Sequence, residues 1–113
     1  MLIFKIADGE AWRAALTEGR YRGSADDIRD GFIHFSTAEQ TRATAQKHFT
    51  GRAGLIIAAI DGSRLGPALK WEASRGGALF PHLYAALLME TVVWWRPLPL
   101  DAAGVHIMPG EVV

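Results

Sequence analysis

Apolar and polar positions change period several times along the chain, and each change marks an element. Leu2-Ile3-Phe4-Lys5-Ile6-Ala7 is a β-branched and aromatic run that predicts a first strand. Asp8 then stands as an N-cap before Trp12, Ala15 and Leu16, which recur at helical spacing, and Gly19 ends that helix. Residues 20–31 are polar, hold no period and predict a loop. Phe32-Ile33-His34-Phe35 predicts a second strand. Ser36-Thr37-Ala38-Glu39 has the form of a capping box, with Ser36 and Glu39 satisfying orphan backbone donors; a helix over about residues 37–49 follows, ending near Gly51.

The second half is mostly extended. Leu55-Ile56-Ile57-Ala58-Ala59-Ile60, closed by Asp61-Gly62, has the unbroken apolar character of a central strand buried on both faces. Leu69-Lys70-Trp71-Glu72-Ala73 predicts a further strand, with a flexible turn at Arg75-Gly76-Gly77. Thr91-Val92-Val93-Trp94-Trp95 predicts another, ended by Pro97 and Pro99, and Val105-His106-Ile107 a last edge strand. No repeat or long linker divides the chain, so residues 1–113 read as one domain. The expected class is α+β: a mainly antiparallel sheet with two helices from the N-terminal half. A doubly wound fold is excluded because the second half supplies no crossover helices.

Composition narrows the function classes. Half of the 113 residues are hydrophobic and 21% are charged, which fits a folded core and does not point to disorder. Twelve Lys+Arg balance twelve Asp+Glu, which argues against a broad basic face for duplex nucleic acid or anionic lipid. Near-zero net charge also leaves a homodimer open. The absence of cysteine excludes disulfides, thiolate catalysis and cysteine-based metal sites. The first strand meets Asp8 and Glu10 almost at once, unlike a signal peptide, and no apolar run approaches the roughly 20 residues of a membrane span. The expectation is a soluble, cytoplasmic protein that touches no membrane.

Three segments set reactive groups among apolar neighbours. In the first, period two puts Phe32, His34 and Ser36 on one face of a strand that runs into a helix N-terminus, a corner suited to an anion or a ribose. The structural alternative is a core histidine bonded to a carbonyl, with Ser36 only a cap. In the second, Lys70 and Glu72 share a face and Trp71 points away; Glu72 would titrate high if buried, or bind sugar hydroxyls, and the alternative is a surface Lys-Glu face with Trp71 in the core. In the third, Pro81 keeps the chain extended, so His82 and Tyr84 emerge on one side, able to recognise a base, ribose or phosphate or to form a rigid corner. Arg75 is a further phosphate candidate. Arg42, Lys47 and Arg52 read as a solvated face. His34, His82 and Glu72 lack metal-ligand spacing, so no metal is expected.

The segments DGFIHFST, LKWEASRGGALFPHLY and the opening IFKI together resemble the bacterial domain-of-unknown-function family 952, over about residues 2–108. The resemblance implies a pared-down ADP-ribosyltransferase-like fold: a split, mainly antiparallel sheet around a cleft that holds NAD in true transferases. It makes His34, Ser36 and Thr37 the cleft-binding strand, with Glu72, His82 and Tyr84 as partners across it. His34 and Glu72 would be the catalytic pair, and Ser36, Thr37, Trp71, Arg75, His82 and Tyr84 the ligand-binding set. The ligand so implied is NAD, another ADP-ribose-like nucleotide or a phosphorylated metabolite, bound or processed; a non-catalytic binding module or a structural protein is the alternative. Two departures stand out: Lys5 lies where relatives often carry histidine, and Glu72 lacks a Q/E-x-E loop near the end of the chain.

Overall fold

A computed structural model describes residues 1–112, and the side chain of Arg75 lies outside the described residues. In chain order the elements are β1 (Leu2–Asp8), α1 (Gly9–Glu18), β2 (Arg20–Tyr21), α2 (Ala25–Asp30), β3 (Ile33–His34) and α3 (Ala38–His48). Then come β4 (Leu55–Asp61), β5 (Leu69–Ala73), β6 (Leu79–Leu83), β7 (Leu87–Leu88) and β8 (Val92–Leu98), with short 3-10 turns between several of them. All named strands pair antiparallel, in the orders β1-β4-β8, β3-β6-β5 and β2-β7. The architecture is α+β with antiparallel sheets and three helices among the described residues.

The unbroken apolar run of β4 makes it the centre of the first sheet. Its alternate residues serve two cores: Ile56, Ala58 and Ile60 pack with Ile3, Trp12 and Leu83, and Leu55, Ile57 and Ala59 pack with Phe4, Ile6 and Ala45 of α3. Trp94 and Trp95 divide between the same two cores as adjacent strand residues must, each half-buried. Pro97 lies inside β8, opposite Ile56, instead of ending the strand. The edge position explains this, because a residue without an N–H is tolerated there.

Residues 20–31 are not a loop. They contain β2 and the six-residue α2, too short for a hydrophobic period to register. Its signal was local: Ser24 Oγ accepts from Asp27 N at 3.1 Å, Asp27 Oδ2 accepts from Ser24 N at 2.9 Å, and Gly31 closes the helix at φ 87°. The capping box of α3 sits one residue later than expected. Thr37 Oγ1 accepts from Gln40 N at 3.3 Å, and Gln40 Oε1 accepts from Thr37 N at 3.0 Å, which leaves Ser36 outside the cap. Thr37→Ala is expected to cost about 1 kcal/mol in urea denaturation, because an orphan helix N–H loses its partner. Residues 105–107 form no strand: Asp101 Oδ1 takes N–H bonds from Ala103 (2.8 Å) and Val105 (3.0 Å), so the segment turns, and only a Leu100–His106 bridge remains.

Candidate functional site

The register of the second sheet brings most of the sequence candidates together. His34 lies opposite His82, His82 opposite Lys70, and Phe80 opposite Glu72, so these side chains share one face of β3-β6-β5. Tyr84 follows His82 by two residues, and its hydroxyl donates to Glu72 Oε1 at 2.7 Å. His82 Nδ1 lies 2.8 Å from the same oxygen. The Tyr84 hydroxyl and then His82 hold the Glu72 carboxyl below the usual carboxylate range, so Glu72 is an anion at neutral pH, and the Tyr84 phenol is pushed up in return. Phe32 stacks on His82 at 4.1 Å and also meets His34 (4.5 Å) and Tyr84 (5.2 Å), while the His34 and His82 rings are 5.5 Å apart.

Two candidates fall away from this cluster. Trp71 points to the opposite face of β5, as the alternation of Lys-Trp-Glu predicts, and at 40% exposed it is not a core residue. Thr37 spends its hydroxyl on the α3 cap. Arg75's side chain lies outside the described residues. The backbone at Arg75–Gly77 makes a tight turn in which Gly76 and Gly77 adopt positive φ.

A second cluster adjoins the first through His34, and sequence reasoning missed its centre. Asp27, 2% exposed, accepts four hydrogen bonds. Oδ2 takes Lys5 Nζ and Ser24 N, each at 2.9 Å; Oδ1 takes His34 N at 3.1 Å and faces His34 Nδ1 at 2.6 Å. Lys5 also donates to the His34 carbonyl at 2.9 Å. On the other side of the ring, His34 Nε2 is 3.0 Å from Asp30 Oδ2, and Arg29 pairs with Asp30 (3.1 Å) and Asp26 (3.2 Å). Burial alone would raise the Asp27 carboxyl, but the hydrogen bond from His34 and the Lys5 ammonium together hold it well below the usual range. For Lys5 burial is the larger influence and pushes the amine down despite Asp27. Two sequence signals were available for this cluster: one charged residue in an otherwise apolar first strand, and the S-x-x-D spacing of Ser24 and Asp27.

Together these groups line a cleft of about 280 Å³ between β1, α2, the end of β3 and α3. Lys5, Asp27, Asp30, His34 and Ser36 all reach it, and Ser36 Oγ and Thr44 Oγ1 form a hydroxyl pair 2.8 Å apart on its wall. His34 and Phe80 are the members of the sheet-face group that also line the cleft; Glu72, His82 and Tyr84 are not among its lining residues. The arrangement suits a small polar molecule with hydrogen-bond donors for carboxylates and acceptors for hydroxyls.

Fold and site thus define a small α+β protein whose short β3 strand delivers a carboxylate-flanked histidine to a polar cleft. The chain belongs to the DUF952 family, described as a protein of unknown function, whose profile matches residues 6–95. The crystal structure of protein CC0527 from Caulobacter crescentus is similar along the whole chain, with 49% identity over 99% of this chain and 98% of that one, at a TM-score of 0.94. A double mutant of the same Caulobacter crescentus protein gives 48% identity, the same coverage and a TM-score of 0.94. Its solution NMR structure gives 53% identity over 92% of this chain and 90% of that one, at a TM-score of 0.83. No curated protein matches the chain significantly. Among the described residues, no helix is long and apolar enough to cross a membrane.

Proposed function

We propose that the cleft binds a nucleotide of the NAD or ADP-ribose class, with His34 and Ser36 holding its ribosyl part. One observation carries the reading: the His34 imidazole, 37% exposed, reaches the cleft between Asp27 and Asp30, beside the Ser36–Thr44 hydroxyl pair. A ribose offers hydroxyl protons to the carboxylates and oxygen acceptors to the hydroxyls. About 280 Å³ is small beside the ~300–1,000 Å³ of ordinary ligand pockets, so the cleft fits one nucleoside-sized unit. The remainder of a dinucleotide would extend along the β3-β6-β5 face, towards Phe32 and Tyr84. The ADP-ribosyltransferase-like resemblance supports the same reading, since Glu72 is then an ionised carboxylate beside a histidine and a tyrosine. In an enzyme of that kind Glu72 orients a ribose hydroxyl as the glycosidic bond breaks.

A non-catalytic binder is the second reading, and one observation favours it. Glu72 Oε1 already takes hydrogen bonds from both His82 and Tyr84, an engagement that a ligand would have to share. Thermal shift with NAD, ADP-ribose, AMP and nicotinamide tests the site. A ligand at 100 times its Kd stabilises by about 2.7 kcal/mol, a shift of several degrees that His34→Ala should abolish. No shift with any of the four compounds would overturn the proposal. Glu72→Gln then separates the readings: a binder keeps its shift, and an enzyme loses turnover by orders of magnitude.

A further inference from the structure

We infer that Asp27, His34 and Asp30 form a proton-accepting relay, in which Nε2 of His34 takes a proton from a ligand hydroxyl and Lys5 is the positioning residue for Asp27. This rests on the cleft being a ligand site, and it adds a chemical role to binding. A carboxylate only accepts hydrogen bonds, so the 2.6 Å contact between Asp27 Oδ1 and His34 Nδ1 requires the hydrogen on Nδ1. In the neutral ring the lone pair is therefore on Nε2, the nitrogen opposite Asp27. The backbone N–H of His34 bonds the same Asp27 oxygen, so ring and main chain are gripped together. Lys5 Nζ and Ser24 N occupy the other oxygen and prevent the carboxylate from turning.

Asp30 completes the device. Its Oδ2 lies 3.0 Å from Nε2, and because a carboxylate bonds that nitrogen only when it carries a proton, this contact is the geometry of the ring after it has taken one; the neutral ring releases Asp30. Its side chain is 35% exposed and shared with Arg29, so it can yield to an entering hydroxyl and return afterwards. The step balances simply: the ligand O–H bond breaks as the Nε2–H bond forms, and the electron pair stays on the ligand oxygen. The proton then lies between His34 and Asp30. The ligand group this fits is a hydroxyl; a phosphate dianion brings no proton and would face Asp30 directly.

The test is the protonation pattern of the His34 ring in long-range 1H–15N spectra of the ligand-free, 15N-labelled protein, at a pH where the ring is neutral. The Nδ1–H form should dominate by about tenfold or more, as a hydrogen bond to a charged group gives. A neutral ring protonated on Nε2 overturns the relay. Asp27→Asn should reverse the preference: Lys5 and Ser24 hold the amide oxygen on their side, so the amide NH2 faces Nδ1, which must then accept, while the His34 backbone N–H loses its partner. A folded Asp27→Asn that keeps the Nδ1–H form removes Asp27 from its role. Should that variant fail to fold, the wild-type ring and Asp30→Ala decide: the latter should keep the Nδ1–H form, and its loss would assign the ring's orientation to Asp30 and overturn the relay. No ligand enters these spectra, so a failed relay and a failed nucleotide site are read separately.

Discussion

Asp27→Asn is expected to destabilise the protein by about 3–5 kcal/mol at pH 7, read as a lower urea midpoint. The size of the effect comes from what the substitution leaves behind. Lys5 is 5% exposed, and once the Asp27 charge is gone its ammonium keeps only neutral acceptors, the His34 carbonyl and the amide oxygen, with no counter-charge. The same carboxylate ties β1, α2 and β3 together, so all three elements lose a shared anchor. Replacing both charges, as in Lys5→Met/Asp27→Leu, should cost less than the single change, because no buried charge is stranded. A double variant that costs at least as much as Asp27→Asn would show that the N–H bonds to Asp27 outweigh the ion pair. The pH dependence follows in sign. The folded-state pKa of Asp27 is depressed, so its stabilisation is complete above its unfolded value of roughly 3.9 and is lost as pH falls towards the folded value. The gap between wild type and Asp27→Asn should therefore narrow steadily in acid, and a gap unchanged from neutral pH down to acid unfolding would contradict that origin.

Trp12→Ala is expected to cost about 3–5 kcal/mol, and Trp12→Phe far less, within about 1.5 kcal/mol. Trp12 is 0% exposed and packs against Tyr21 at 5.6 Å, so alanine leaves a large void under α1. The indole, however, is imperfectly matched to its site. Its buried Nε1 has no hydrogen-bond partner among the described residues. Such a donor costs about 1–3 kcal/mol, and phenylalanine removes that cost while keeping most of the apolar contact. Thermal unfolding separates the two variants by many degrees, since 1 kcal/mol moves Tm by about 4–8 °C in a domain near this size. Equal losses for both would mean that the outer ring of the indole carries the packing.

Those two residues also show how differently fold and site are written in the sequence. Trp12 and the β4 run were legible because burial repeats: i, i+3, i+4 on α1, and an unbroken apolar run on β4. Period two placed His34 with Phe32, and Glu72 with Lys70, on the faces they occupy. Asp27 was legible only as the far end of an S-x-x-D cap, and its role was not. It lies on a six-residue helix with no period, and its charged partners, Lys5 22 residues before it and His34 7 residues after it, are brought to it only by tertiary folding. The shift of the α3 cap from Ser36 to Thr37 is a smaller case of the same kind. Both residues fit the motif, and the bridge from Ser36 to Phe4 on β1 decides between them by taking Ser36 into the sheet.

That bridge and Pro97 together bear on how copies of the chain meet. Ser36 occupies the outer flank of β1 at Phe4 through bonds of 2.8 and 2.9 Å, and on the opposite flank Pro97 offers β8 no donor. Strand addition is thus discouraged at both ends of the central sheet. Neither a second copy nor a stray extended peptide finds a continuous template there, so the sheet is protected against fibril-like growth although half of the chain is hydrophobic. At this sheet self-association is left to side chains meeting face to face, which point substitutions on those faces can tune without disturbing the backbone.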